Sequence, residues 1–244
     1  MEGDVLRRAV AEFVGTFTLV FVGVSSIITV GDVTGVALAH GLAIAVMVSA
    51  VGHISGGHFN PAITLAFLVT RRMAPLLAAV YWVAQFAAAT VGALLVKVIF
   101  PGSVVDRAKL GAPAVASVVG SGGALAMEAI LTFFLVWVVF ATAADARGTF
   151  KSIAGLAIGL TITMDILAGG RVSGAAMNPA RAFGPQLVQS VWSDAWVWYA
   201  GPILGAVVAG LAYEYLYLRP LAPVPVGPPE TGLDEPRPGE TAVS

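Results

Sequence analysis

Six long apolar stretches constrain the fold of this chain more than any other feature of its sequence. A helix needs about 20 apolar residues to cross the hydrocarbon core of a bilayer. The stretches run over Ala9–Val30, Val33–Gly52, Leu76–Val98, Gly123–Ala144, Ser152–Ala168 and Ala195–Leu218. Charged residues make up 11% of the chain, less than half of the roughly 25% found in soluble domains. The sequence therefore predicts an all-α integral membrane protein and excludes an ordinary soluble enzyme.

Two further apolar runs, Pro61–Val69 and Pro179–Val188, are too short to cross a bilayer. Each follows a glycine-rich stretch, and runs of about ten residues are typical of re-entrant segments. Irregular backbone at membrane depth is tolerated only inside protein or beside a water-filled cavity. We therefore expect six transmembrane helices plus two re-entrant half-helices.

The two halves of the chain match each other. Ala11–Val20 aligns with Met127–Val136, Gly41–Ile44 with Gly155–Ile158, and Ser55–Ala62 with Ser173–Ala180, at offsets of 116, 114 and 118 residues. Each half holds three spans, so the second half enters the membrane in the opposite sense. The sequence therefore predicts an inverted repeat with its functional region near the bilayer midplane.

The predicted domain organisation follows from this repeat. A transmembrane domain covers residues 9–219, with repeat 1 at about 9–99 and repeat 2 at about 123–218. A short N-terminal segment, 1–8, precedes it, and a proline-rich tail, 220–244, is expected to be disordered. Eight Lys and Arg residues lie on the side of the termini and four on the other side, which predicts cytoplasmic termini.

The two asparagines of the chain, Asn60 and Asn178, are each followed by Pro-Ala. Asn is a strong helix N-cap, and Pro is favoured at the first helical position. Each tripeptide is therefore predicted to start a half-helix: Asn60, Pro61 and Ala62 in one half, Asn178, Pro179 and Ala180 in the other. In an inverted repeat the two N-termini face each other, and each carries roughly half a positive charge.

These motifs resemble those of the aquaporin or major intrinsic protein family. The resemblance rests on SGGHFNPA at Ser55–Ala62, on SGAAMNPAR at Ser173–Arg181, and on Glu12 and Glu128 at matching repeat positions. It covers roughly Arg8 to Leu218. It implies a bundle of six tilted helices, half-helices that meet at their asparagines, and a homotetramer with one pore per subunit.

The resemblance also implies roles for further residues. The implied selectivity filter is His40, Ile166, Ala175 and Arg181, and the implied pore-lining carbonyls belong to Gly56, Gly57, His58, Gly174, Ala175 and Ala176. Glu12 and Glu128 are expected to accept backbone hydrogen bonds from the loops before the half-helices. This filter is similar to that of plant vacuolar, tonoplast-type members, and it predicts a wider, half-apolar opening.

We therefore expect a passive channel for water, with ammonia and hydrogen peroxide as further passengers, that excludes protons and ions. A glycerol-type facilitator of the same fold is the alternative, although Ala182 and the pair Trp198-Tyr199 favour the water branch. A coupled transporter with inverted repeats is a third possibility, but it would need ionisable groups on a coupling path.

No cofactor, metal site or catalytic nucleophile is predicted, so we expect no enzyme. The chain has no cysteine, and its net charge of −1 does not suit a nucleic-acid partner. Its expected partners are water, small neutral solutes, the lipid bilayer and further copies of itself. A plasma membrane is the expected location.

Overall fold

The computed structural model describes residues 2–147 and 153–219, and the regular elements of these residues are all helical. The long helices are α1 (Glu2–Thr29), α2 (Val33–Ser55), α4 (Pro75–Ile99), α6 (Gly120–Val139), α7 (Ala154–Gly169) and α9 (Val197–Tyr213). The short ones are α3 (Pro61–Val69), α5 (Gly102–Arg107) and α8 (Pro179–Gln189). Wider helical turns extend α6 through Phe140–Ala144 and α9 through Glu214–Leu218.

Local chemistry explains several helix ends. Asp32 caps α2, because its Oδ1 accepts hydrogen bonds from the backbone N–H of Thr34 and Gly35 at 3.0 and 2.9 Å. The same helix ends at Gly56, whose φ of 98° suits a residue without Cβ. Pro75 occupies the first position of α4, where its missing N–H costs nothing.

The predicted spans are confirmed as helices, with two differences. Five of them are long and apolar enough to cross a membrane, whereas α7 has 16 residues and reaches about 24 Å at 1.5 Å per residue. Helix α1 begins at Glu2, so residues that we assigned to a separate N-terminal segment belong to the first span. The predicted tail, 220–244, lies outside the described residues.

The packing of the helices follows the predicted inverted repeat. Helix α1 packs on α2 and α4, just as α6 packs on α7 and α9, and α2 and α7 join the two halves. The half-helices are exchanged between the halves, since α3 packs on α9 and α8 packs on α4. This exchange brings the N-termini of α3 and α8 together in the interior of the bundle.

Glycines allow the two halves to approach closely where α2 crosses α7. A Cβ added to Gly159 would lie 2.3 Å from the carbonyl oxygen of Gly41, and one added to Gly41 would lie 2.5 Å from the oxygen of Gly159. Small residues at helix contacts let backbones meet in a membrane, where no hydrophobic force drives the helices together. This contact fixes the distance between the two repeats.

The connection between α4 and α6 was not predicted to have structure. It contains α5 and a 3₁₀ turn at Lys109–Gly111, which packs on α1 and α8. It lies on the side of the bundle opposite the chain termini. This connection brings the backbone of Gly111 to the side chain of Arg181.

Candidate functional site: the junction of the two half-helices

Asn60 and Asn178 cap the two half-helices, as predicted from the Asn-Pro pairs. Both have extended backbone, with φ of −156° and −152°. The Oδ1 atom of Asn60 accepts a hydrogen bond from Ala62 N at 2.9 Å, and that of Asn178 accepts from Ala180 N at 3.0 Å and Arg181 N at 3.1 Å. The oxygen of each amide is therefore committed to its own helix.

The amide nitrogens of the two asparagines bind the opposite half of the molecule. Asn60 Nδ2 donates to the carbonyl oxygen of Met177 at 2.8 Å, and Asn178 Nδ2 donates to that of Phe59 at 2.9 Å. These bonds lock the two half-helices end to end. An amide nitrogen carries two hydrogens, so each asparagine keeps one N–H beyond this bond.

The residue before each asparagine has a backbone conformation that residues other than glycine seldom adopt. Phe59 has φ of 48° and Met177 has φ of 50°, in the left-handed region that costs about 1–3 kcal/mol for a residue other than Gly. This conformation turns each carbonyl toward the amide of the other half. The strain is therefore tied to the junction itself.

Two buried glutamates hold the loops that lead to the half-helices. Glu12 accepts hydrogen bonds from His58 N at 2.9 Å and Phe59 N at 2.7 Å. Glu128 accepts from Ala176 N and Met177 N at the same two distances, 2.9 and 2.7 Å. The arrangement repeats in both halves, as the matching positions of the two acids suggested.

Two cavities meet beside the junction. The larger, of about 320 Å³, opens on the side of Gly111 and Arg171. The smaller, of about 30 Å³, runs past Asn60 and Asn178 and has room for about two water molecules at 10–15 Å³ each. Its apolar wall is formed by Leu19, Ile44, Ile63, Leu135, Ile158 and Ile162. The contrast of volumes indicates a vestibule that leads into a narrow passage.

His40, Ile166 and Arg181 line both cavities. They therefore lie where the vestibule meets the narrow passage. Ala175 lines the narrow passage next to them, and its neighbour Gly174 lines the vestibule. The four residues assigned to the filter by resemblance thus come together around one opening.

Arg181 is held at this opening by the backbone oxygen of Gly111 and by the ring of His40. Its side chain is buried, and Nη1 donates to the carbonyl oxygen of Gly111 at 2.9 Å. Among residues 2–147 and 153–219 no carboxylate forms an ion pair with it. The guanidinium therefore borders the passage without a salt bridge to any carboxylate of the described residues.

The hydrogen bonds of His40 define its orientation. Nδ1 lies 2.9 Å from the carbonyl oxygen of Val36, and Nε2 lies 3.4 Å from Nη2 of Arg181. A carbonyl only accepts and a guanidinium only donates, so Nδ1 carries the proton and Nε2 keeps its lone pair. The ring therefore accepts from Arg181 through Nε2 and is fixed at the opening by both of its nitrogens.

The residues whose carbonyl oxygens were assigned to the pore do not all line one of these two cavities. Gly57, His58, Ala175 and Ala176 line the narrow passage, and Gly174 lines the vestibule. Gly56 lines neither of these two cavities and instead ends α2. Phe59 and Met177, which we did not assign, line the passage as well.

Several supporting residues escaped sequence reasoning. Ser55 and Ser173 donate to Glu12 and Glu128 at 2.7 Å, and their carbonyl oxygens accept hydrogen bonds from Tyr81 Oη at 2.6 Å and Trp198 Nε1 at 2.8 Å. Gly111 also escaped notice. The repeat alignment contained both serines, so the signal was present for them, whereas nothing in the sequence linked Gly111 to Arg181.

Comparisons with known proteins agree with this architecture. The sequence model described as "Major intrinsic protein" matches residues 2–213 of the chain. Aquaporin TIP4-4 of Zea mays is 42% identical over 226 residues, which cover 87% of each protein. Probable aquaporin TIP3-2 of Arabidopsis thaliana is 44% identical over 232 residues, which cover 88% of this chain and 85% of that protein.

A solved structure supports the fold independently. The X-ray structure of the aquaglyceroporin from Plasmodium falciparum matches 88% of this chain and 98% of its own with a TM-score of 0.78. At 24% identity this likeness concerns the fold alone.

The site and the fold together define a multi-pass helical membrane protein with a narrow central passage. The chain belongs to the major intrinsic protein family. The resemblance to tonoplast-type members is confirmed by these TIP relatives, which give no support to the plasma-membrane location expected from the sequence.

Proposed function

We propose that this protein is a passive channel that conducts water and excludes protons and other ions. The reciprocal hydrogen bonds between Asn60 and Met177 and between Asn178 and Phe59 carry this proposal. They place two half-helix N-termini and two spare amide N–H groups on one narrow passage. The protein is accordingly a channel rather than an enzyme.

Water is oriented at the junction. Its oxygen accepts the spare N–H groups of Asn60 and Asn178, while the apolar wall opposite offers its hydrogens no acceptor. Both hydrogens then point along the passage and away from the centre, and the hydrogen-bonded chain that a proton needs is interrupted. The positive ends of the half-helices raise the electrostatic barrier further.

The filter selects by size and by charge. The fixed charge of Arg181 repels cations, and its N–H groups that are not bound to Gly111 or His40 replace hydrogen bonds that a solute loses on leaving bulk water. Ile166 makes the opposite side apolar. Ammonia and hydrogen peroxide, which resemble water in size and hydrogen bonding, pass as well.

The water branch is favoured over a glycerol facilitator by Ala182 and by the pair Trp198-Tyr199, as the resemblance to water-conducting members implies. Ala182, which follows Arg181, is fully buried, and Trp198 fills the space beside Ser173, to whose carbonyl oxygen it donates.

We further propose that four copies assemble, each with its own passage, and that both termini lie on the cytoplasmic side.

Substitution of Arg181 by Val tests the filter. The loss of the guanidinium widens the opening and removes its charge, so we expect glycerol and urea permeability to rise while water permeability stays high. Stopped-flow light scattering on proteoliposomes measures both quantities. Gly122→Ala is the control, because nothing lies within 4 Å of its added Cβ. Unchanged solute selectivity in a folded Arg181→Val variant would show that Arg181 does not form the constriction.

A further inference from the structure

One face of α1 borders the passage. Leu19, Gly23 and Ile27 are spaced by four residues, so their side chains lie on one side of the helix. Leu19 lines the narrow passage and Ile27 lines the vestibule. Gly23 lies between them, at the level where the two cavities meet.

The imidazole of His40 occupies the place where a side chain at position 23 would be. A Cβ added to Gly23 would lie 2.3 Å from Nε2, 2.7 Å from Cδ2 and 2.7 Å from Cε1 of His40. All three of its nearest atoms therefore belong to one ring. At Gly159, by contrast, the nearest atom is a backbone oxygen of the facing helix. The missing side chain of Gly23 therefore makes room for the ring of His40, whereas that of Gly159 makes room for the backbone of a crossing helix.

The second half of the chain shows the opposite distribution of volume. By the repeat offsets of 116 and 114 residues, Gly23 corresponds to Val139 and His40 corresponds to Ala154. A small residue on the first helix thus accompanies a large one on the second, and the reverse holds in repeat 2. In repeat 1, the small residue is the one that faces the ring of His40.

The surroundings of the ring determine where it would move. Nδ1 is anchored to the carbonyl oxygen of Val36 on its own helix, and Nε2 faces Arg181. The ring is 3% exposed and borders both cavities. A ring pushed away from α1 therefore moves toward Arg181 and into the opening.

We propose that Gly23 is a specificity-determining, positioning residue of the filter, because its missing side chain lets His40 withdraw from the passage. This inference rests on the proposed filter. The width of the opening then depends on five residues: the four filter residues and Gly23, which acts because it has no side chain. With any side chain at position 23, the same four filter residues would leave a narrower passage.

The test compares Gly23→Ala, His40→Ala and the double variant in proteoliposomes, with Gly122→Ala as control. The permeabilities to water and to hydrogen peroxide are measured for each. We expect Gly23→Ala to lower peroxide permeability severalfold and water permeability less. In the His40→Ala background the same substitution has no effect, because no ring remains to be displaced. Gly122→Ala leaves both permeabilities unchanged.

The outcomes separate this inference from the proposed function. If His40→Ala leaves the peroxide-to-water ratio unchanged, the filter assignment fails and the inference fails with it. If His40→Ala changes the ratio but Gly23→Ala does not, only the role of Gly23 is overturned. An equal effect of Gly23→Ala with and without His40 also overturns it.

Folding offers a second measurement if Gly23→Ala does not assemble. Recovery of folded protein in the double variant then supports the steric contact with His40. Failure of the double variant as well would place the need for glycine in helix packing and overturn the proposal.

Discussion

Single residues hold the half-helices in place through polar atoms that each make more than one hydrogen bond. Both carboxylate oxygens of Glu12 are used: Oε1 accepts from Ser55 and His58, and Oε2 accepts from Phe59 and Gln85. A carboxylate has no hydrogen to donate, so it can satisfy several N–H and O–H groups at once. Buried donors without partners would cost about 1–3 kcal/mol each.

Replacing either acid by Gln tests this bracing. In either orientation the amide nitrogen would face a backbone N–H of the loop. We therefore expect Glu12→Gln and Glu128→Gln each to destabilise the protein by about 1–3 kcal/mol for each donor left unsatisfied. Thermal unfolding in detergent measures the effect. Asp32→Asn is the matched control, because Asn caps a helix as well as Asp does and Asp32 is exposed. A loss no larger than that of the control would contradict the bracing role.

The residues of the junction differ in how far the sequence predicted them. Asn60 and Asn178 were predictable because N-caps and prolines have local chemistry. The left-handed backbone of Phe59 and Met177 was not, since neither residue type favours it and only contact with the other half of the chain imposes it. The same holds for Gly23, whose meaning depends on a ring of a different helix.

At the level of elements, the ends of α6 and α9 are tied together on the side of the termini. Asp145, just beyond α6, accepts two hydrogen bonds from the Arg147 side chain, at 2.9 and 2.6 Å. It also accepts one from the hydroxyl of Tyr213 at 3.3 Å. Arg147 in turn donates to the carbonyl oxygen of Tyr217 at 3.1 Å. These bonds fix the helix ends where the connection to α7 begins.

The pKa of Asp145 gives this tie a pH dependence. Hydrogen bonds from the Arg147 side chain lower that pKa from 3.8 to about 2. A carboxyl group whose pKa is lower in the folded than in the unfolded protein stabilises the folded state at pH values above its unfolded pKa. This stabilisation is lost as the pH falls through its folded pKa. We expect Asp145→Asn to lower thermal stability at neutral pH, and the difference from the unsubstituted protein to vanish between about pH 4 and pH 2. Unfolding temperatures in detergent across this range provide the measurement.

The control for this prediction removes the partner. In an Arg147→Ala background, the pH dependence of the Asp145→Asn difference should shrink, because only the backbone N–H of residue 147 and the hydroxyl of Tyr213 remain as donors. A stability difference that stays constant from neutral pH to pH 2 in the original background would show that Arg147 does not stabilise the ionised carboxylate.

Most elements could be predicted from hydropathy, because a membrane allows only a narrow range of helix lengths. Helix α3 has the predicted limits, Pro61–Val69, since a cap and a proline mark its start. Helix α5 was missed because six residues, Gly102–Arg107, leave no periodic signal. The short α7 packs closely against α2 through Gly41 and Gly159, a tertiary contact that hydropathy does not predict.

For the whole molecule, the inverted repeat explains why one passage forms. Each half contributes one cap, one glutamate and one strained carbonyl, and neither half can satisfy its asparagine amide alone. The repeat alignment predicted this symmetry, whereas the departures from it, Arg181 and the pair of Gly23 with His40, occur at the filter. The residues that the two repeats share thus form the junction, and the residues that differ between them form the filter.

The most direct test of this account is a simultaneous measurement of water and proton flux through the purified full-length protein in liposomes. An osmotic shock is applied together with a pH gradient, and light scattering and an enclosed pH dye are recorded. We predict rapid shrinkage with a low activation energy and a proton flux no greater than that of empty liposomes. A proton flux that rises with the water flux would contradict the interruption of the hydrogen-bonded water chain at Asn60 and Asn178. Shrinkage no faster than in empty liposomes would contradict a passage that conducts water.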